Sequence, residues 1–330
     1  KRRTHSAGRR YLTILAFVFF SAGFIVYFGK PILLGTGKIA GCRANHYSDD
    51  SYLAYCASKG YGDYEHGAFY FDMEPAARDA LRRAAVVFLG NSIPQFAFST
   101  TSTAEIFRTN GVRYYLLGFA YFETVDFAQM LARRLPLRPR VAVLNADKYF
   151  WSQKVSAPSA ALQANLLSTR FDYAEKAMWQ SIHARICGSL LANARFCGQT
   201  LSIFRSRGNG AWVGLSDWGL PSRPLAQSPS GHAITETENL QRAERASRLA
   251  AALQIPAHCL VITTIPNDET EKDAGMRLAT LTGATYIAPA IEKLATLDGI
   301  HLDALSAESW SRAFVRELLE KTAGCVSSHP

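Results

Sequence analysis

A chain of 330 residues, 48% apolar and 19% charged, can bury a large core, and its length fits one α/β domain with an anchor and an insertion. The net charge of +9 is concentrated: the first ten residues hold five of the 36 basic side chains and none of the 27 acidic ones, leaving only +4 for the remainder. That near-balance, with no basic stripe interleaved with aromatics, argues against nucleic acid as a partner.

Residues 1–10 read as a basic cytoplasmic tail. From Tyr11 to Gly29 there are 19 residues without a charge, about 28 Å as a helix, which predicts a transmembrane helix over residues 11–29 in a lipid bilayer. Tyr11 and Tyr27 stand where interfacial aromatics belong, and the positive-inside rule places everything from about residue 30 outside the cytoplasm. A cleaved signal peptide is the alternative, but no A-x-A site follows the apolar run. Ile39-Ala40-Gly41-Cys42 looks like a lipoprotein cleavage box, set too far beyond that run and preceded by Lys38. Residues 30–72, rich in Gly, Tyr and Asp, read as an irregular juxtamembrane segment.

Glu74 to Arg83 is predicted helical, with Pro75 suited to its first turn. Ala84 to Leu89 is a continuous apolar run of strand length, as expected for a strand covered on both faces. Strands follow at Tyr114–Leu117, Val141–Leu144, Cys259–Thr264 and Thr285–Ala288. Helices are expected at Phe122–Leu135, Glu236–Leu253, Ala274–Thr282 and Ala307–Lys321, the last with Ser306 as N-cap. This alternation predicts a three-layer α/β/α sandwich with a parallel sheet over residues 73–330. An insertion at about 152–235 breaks the rhythm and reads as a lid: it holds a helical stretch (about 160–192), then a Gly-, Ser- and Pro-rich segment through 232.

The six cysteines contain no CxxC pair and have no histidine cluster beside them, so no zinc site is expected. An even number beyond an export-type anchor suggests an oxidising compartment. Local pairing of Cys42 with Cys56 and Cys187 with Cys197 leaves Cys259 with Cys325, which would tie a strand to the C-terminal helix. The alternative is six buried free thiols.

Two motifs carry chemistry. The apolar run ends in Gly90-Asn91-Ser92, which puts Ser92 at the carboxyl end of a parallel strand, where open α/β sheets bind ligands. Asp298-Gly299-Ile300-His301 precedes the last helix. A serine hydroxyl needs a base, which His301 can supply, and an Asp three residues before a His can fix its tautomer. Asp298 is the orienting acid, with Asp303 the weaker candidate. Read singly, Ser92 is a helix cap and Asp298-x-x-His301 a polar turn.

In this order, the motifs resemble those of the SGNH (GDSL-like) hydrolase superfamily, over roughly residues 84–322 outside the insertion. The resemblance implies an SGNH-hydrolase or flavodoxin-like fold and acyl hydrolysis or transfer through a Ser92, His301, Asp298 triad, with no metal or organic cofactor. It also implies oxyanion donors at the Ser92 backbone, at Gly118 in Leu117-Gly118-Phe119, and at Asn145 after the third strand. Asn91 replaces the usual Asp, and the Gly of the usual Gly-x-Asn-Asp is missing, so Asp147 is the alternative match to the family's Asn. The substrate implied is a carbohydrate ester of the cell surface. The setting implied is a single-pass protein of the bacterial inner (plasma) membrane with a periplasmic domain. A multi-pass membrane acyltransferase or another membrane complex is the implied partner. A catalytically inactive accessory subunit is the rival expectation. The other histidines read as surface or packing residues. Trp179, Trp212 and Trp218 read as core residues, with a sugar-stacking wall as the alternative.

Overall fold

The computed structural model describes residues 4–35, 41–57, 62–120, 123–188, 197–198, 200–215, 219–226, 234–270 and 272–327; for residues 4–7, 9, 25–35, 62, 272 and 327 it describes only the backbone. The chain opens with α1 (Thr4–Gly35), β1 (Ser51–Cys56), β2 (Gly62–Asp63), α2 (Glu65–Tyr70) and α3 (Pro75–Arg82). Next come β3 (Val86–Gly90), α4 (Ser92–Phe98), α5 (Thr101–Thr109), β4 (Tyr114–Gly118), α6 (Val125–Arg134) and β5 (Val141–Asn145). The insertion holds α7 (Ala157–Ala164), α8 (Leu166–Cys187), β6 (Ser202–Ser206), β7 (Trp212–Val213) and β8 (Arg223–Pro224). The chain closes with α9 (Glu236–Leu253), β9 (Leu260–Thr263), α10 (Lys272–Thr282), β10 (Thr285–Ile287), β11 (Ala295–Thr296), α11 (Ala304–Lys321) and α12 (Ala323–Ser327).

Five strands form one parallel sheet in the order β4-β3-β5-β9-β10. Alternate side chains serve opposite faces. Val86 and Phe88 pack with Phe98, Phe107, Trp310 and Phe314 of α4, α5 and α11. Val87 and Leu89 pack with Leu81, Leu131, Leu249 and Leu278 of α3, α6, α9 and α10. This is an α/β fold with a helix-flanked sheet, as the alternating pattern predicts. The chain runs from β3 out to the β4 edge and returns past β3 to β5. The crevice between the tips of β3 and β5 is therefore the topological switch point, where such sheets bind ligands.

Two expectations need correction. Residues 30–72 are not irregular throughout, because β1 pairs antiparallel with β6 of the insertion, Tyr52 opposite Arg205 and Leu53 opposite Phe204. With β2 and β7 they make a second, four-stranded sheet. The last helix starts at Ala304 and is capped by Asp303, whose carboxylate accepts from Ser306 N–H at 2.8 Å. Of the expected helix Phe122–Leu135, Phe122 lies outside the described residues, as does Trp218. All three expected cysteine pairs are disulfides: Cys42–Cys56, Cys187–Cys197 and Cys259–Cys325. Cys42 is therefore joined to Cys56, not free as a lipoprotein box would need. Among the described residues no helix is long and apolar enough to cross a membrane. The expected span, residues 11–29, runs beyond Phe24, where the described side chains of α1 end.

The second sheet covers the open edge of β4. Arg205 of β6 is fully buried, and its guanidinium donates to the carbonyls of Leu116, Gly118 and Gly210 and, at 2.7 Å, to Glu65. Leu116 N–H donates to Asn209 C=O at 2.8 Å. Unpaired edge groups of β4 are thus satisfied by the insertion. Nearby, buried Glu123 accepts from the Ser159 hydroxyl at 2.9 Å and from Ser156, and lies 3.5 Å from His66 Nε2. Burial pushes the Glu123 carboxyl up to about 7, partly offset by the Ser156 and Ser159 hydroxyls. Burial, then the charges of Arg205 and Lys176, push His66 down to about 3.

Replacing Arg205 strands Glu65 in the core. Arg205→Met is expected to lose about 3–5 kcal/mol in denaturant unfolding, and Glu65→Leu added to it to recover part of that loss; a double variant as unstable as the sum of the singles contradicts the pairing. For Glu123, the folded state keeps a proton that the unfolded chain releases in the ordinary carboxyl range. Its contribution to stability therefore falls as pH rises from there to about 7. Glu123→Gln should gain on the wild type between pH 5 and pH 8 by about 1 kcal/mol or more, read from melting curves. A difference constant with pH contradicts the buried proton.

Candidate active site

Ser92 is the first residue of α4, directly after the Gly90-Asn91 turn at the tip of β3. Asn91 caps the helix, its side-chain oxygen accepting from Ile93 N–H at 2.9 Å. The β4 tip comes so close that a Cβ on Gly118 would lie 2.5 Å from the Asn91 carbonyl and 2.7 Å from Gln95 Cγ. Only glycine permits that approach.

The second half of the site is the loop between β11 and α11. Leu297 N–H bonds to His301 C=O at 2.8 Å, and Gly299, at φ +90°, turns the chain. Asp298 Oδ1 accepts from the backbone N–H groups of Ile300 and His301, both at 2.9 Å. Its Oδ2 meets His301 Nδ1 at 2.8 Å, and His301 Nε2 meets Ser92 Oγ at 2.8 Å. Burial alone would push the Asp298 carboxyl up, but the His301 ring and the two backbone donors outweigh it and hold it well below the usual range. An ionised Asp298 accepts, so Nδ1 carries the hydrogen and Nε2 accepts the Ser92 hydroxyl. Phe96 lies against the imidazole, ring centroids 4.3 Å apart. Ser92 and His301 are partly exposed.

Asp303 takes no part, being committed to the cap of α11. Gly118 adjoins the serine turn, and its carbonyl accepts from Gln95 Nε2 at 2.9 Å and from Arg205. Asn145 is buried: Oδ1 accepts from Ile265 N–H at 3.0 Å, and Nδ2 donates to Asp147 at 3.0 Å. One oxygen of the Asp147 carboxylate accepts from Asn91 Nδ2 and from the backbone of Tyr149 and Phe150, at 2.9–3.0 Å, while the other takes Asn145. Burial raises Asp147, and these four donors offset it in part. The carboxylate thereby ties the β5 tip to the residue before Ser92. This role was accessible from the sequence only as an acid two residues past a strand tip. It also explains Asn91: an Asp there would set two carboxylates against each other.

Beside Ile93, a hollow at the tips of β5 and β9 is lined by Asp147, Lys148, Tyr149, Asn267 and Thr270. Glu269 joins its rim, accepting from Tyr149 OH and pairing with Lys148, both at 2.9 Å. Trp212 is a core residue packed on Phe96, with ring centroids 6.1 Å apart. His183 with Cys187 and Cys197, and His258 with Cys259 and Cys325, have metal-like spacing, but their sulfurs are joined in disulfides. Comparison with protein-family models, curated proteins and solved structures finds no match for this chain.

Asp147→Ala should destabilise the fold by about 2–4 kcal/mol, because it unpairs buried amides at both strand tips. Asp147→Asn should cost less, and a melting temperature unchanged in Asp147→Ala would show that the tips hold without the carboxylate.

Proposed function

We propose that this chain is a serine esterase or O-acyltransferase of the SGNH type, anchored in the bacterial plasma membrane with its catalytic domain outside the cytoplasm. One observation carries the chemistry: Ser92 Oγ, His301 Nε2 and His301 Nδ1, Asp298 Oδ2 are joined by two 2.8 Å hydrogen bonds at the carboxyl end of a parallel sheet. Ser92 Oγ attacks an ester carbonyl as His301 takes its proton, and Asp298 stabilises the imidazolium. The Ser92 and Gly118 backbone N–H groups are assigned to the oxyanion. His301 returns the proton to the departing alcohol, which leaves an acyl-enzyme. Water or a sugar hydroxyl, deprotonated by His301, then takes the acyl group, and His301 passes that proton to the departing Ser92 oxygen.

The polar hollow beside Ile93 suits a hydroxyl-rich substrate, which supports a cell-surface carbohydrate ester. The three disulfides are consistent with an extracytoplasmic location. For the anchor, the support is α1, a 32-residue helix that exposes Leu12, Ile14, Phe17, Phe20 and Phe24. A multi-pass membrane acyltransferase would supply the acyl donor. A second reading, a non-catalytic subunit of a membrane complex, draws on Asn145, whose amide is engaged by Ile265 and Asp147.

The test is labelling of the full chain by a fluorophosphonate. Wild type should be labelled at Ser92, Ser92→Ala should lose the label, and Asp298→Asn should react about 10³–10⁴-fold more slowly. A folded wild type that takes no label, or a Ser92→Ala variant that keeps it, favours the subunit.

A further inference from the structure

At the end of the sheet opposite Ser92, five arginines line one open cleft of about 620 Å³: Arg82, Arg83, Arg113, Arg138 and Arg140. Among the described residues no acidic side chain lines it. Among the described residues none of the five guanidiniums has a carboxylate within ion-pair distance, although Arg78 and Arg207 nearby in the fold do.

The arrangement is set by the sheet. Arg113 and Arg140 are the last residues before β4 and β5. They flank Ala85, whose N–H donates to Arg113 C=O and whose carbonyl accepts from Arg140 N–H, both at 2.8 Å. Arg82, Arg138 and Arg140 are steadied by main-chain carbonyls of Leu135, Leu137 and Val326. Helix C-termini gather at this end of an α/β sheet, and cations offset their dipoles. That accounts for Arg82 in the last turn of α3, but not for Arg113 and Arg140 on strand lead-ins. Five like charges in one cleft repel one another, and an anion relieves that cost.

The floor narrows the choice of anion. Among the described residues its apolar part is aliphatic, from Val112, Leu319 and Val326, with no aromatic face on which a sugar ring could stack. Guanidinium forks match phosphate oxygens two at a time. A phosphate ester with an apolar body therefore fits better than a uronate chain. We propose that this cleft binds the phosphate headgroup of an anionic phospholipid, its glycerol and first methylenes against the aliphatic floor. The consequence is an orientation: the amino ends of the strands face the bilayer, and Ser92 faces away from it. The proposal is independent of the serine chemistry.

The experiment is calorimetric titration of the full chain, in a neutral detergent, with dioctanoyl phosphatidylglycerol. Neither Arg83 nor Arg113 has a side-chain partner among the described residues, so Arg83→Gln/Arg113→Gln should fold, as its melting curve will show. Binding by this variant should be at least about tenfold weaker, since each basic residue near an anionic lipid surface contributes about a tenfold factor or somewhat less. A Lys154→Gln/Lys293→Gln variant, altered at exposed lysines away from the cleft, should bind like wild type. Dioctanoyl phosphatidylcholine, sn-glycerol 3-phosphate and oligogalacturonate should each bind wild type at least tenfold more weakly. Equal affinity in the folded arginine variant overturns the site. Glycerol phosphate binding as tightly as the lipid reassigns the cleft to a soluble phosphate ester, and oligogalacturonate doing so reassigns it to an acidic glycan; either result overturns the lipid.

Discussion

The imidazole of His301 is the joint on which the functional end of this molecule depends. It connects a loop near the C-terminus to a serine 209 residues earlier in the chain. Neither partner is held by the other alone. Asp298 grips its own loop through two backbone N–H groups before it reaches the ring, and Phe96 of the serine's helix lies against the ring. The imidazole is thus fixed from both sides. That arrangement leaves the ring little orientational freedom.

Behind that joint, the sheet does the positioning. The parallel register of β3 with β4 and β5 brings three strand tips together, and the Asp147 carboxylate ties the tips of β3 and β5 through Asn91 and Asn145. The third tip is held against the turn by the close approach at Gly118 and by Gln95. The open edge of β4 is closed by Arg205, whose buried charge is balanced by Glu65. The insertion therefore acts as an edge cover for the parallel sheet. Its second sheet recruits β1 from the segment before the domain, so Ser51–Cys56 and the insertion form one sheet.

What was legible in the sequence follows from the range of the interactions. The apolar strands of the parallel sheet and the long helices α9 and α11 carry their pattern locally, so their places were readable to within a few residues. Asp298 and His301 were readable because both lie in one short loop, and Ser92 because it ends an apolar strand. The strands β1 and β6 were not: Ser51–Cys56 looks irregular until Ser202–Ser206 lies beside it. The short helix α5 was not legible because Thr101, Ser102 and Thr103 are poor helix formers, a weakness that packing of Phe107 with Trp310 and Phe314 overrides. Asn145 resembled an oxyanion donor by position, but only the fold reveals that its amide is engaged by Asp147 and Ile265. The arginine cleft was invisible because its members come from three separate stretches that meet only at the foot of the sheet.

The most direct test of the serine–histidine–aspartate assembly is nitrogen-15 NMR of histidine-labelled full chain, with His301 assigned by its loss in His301→Gln. In the neutral form the ring should carry its hydrogen on Nδ1, leave Nε2 bare, and show a Nδ1 proton far downfield that vanishes in Asp298→Asn. A ring protonated on Nε2 with Nδ1 bare would contradict the assembly, because such a histidine could not accept the serine proton.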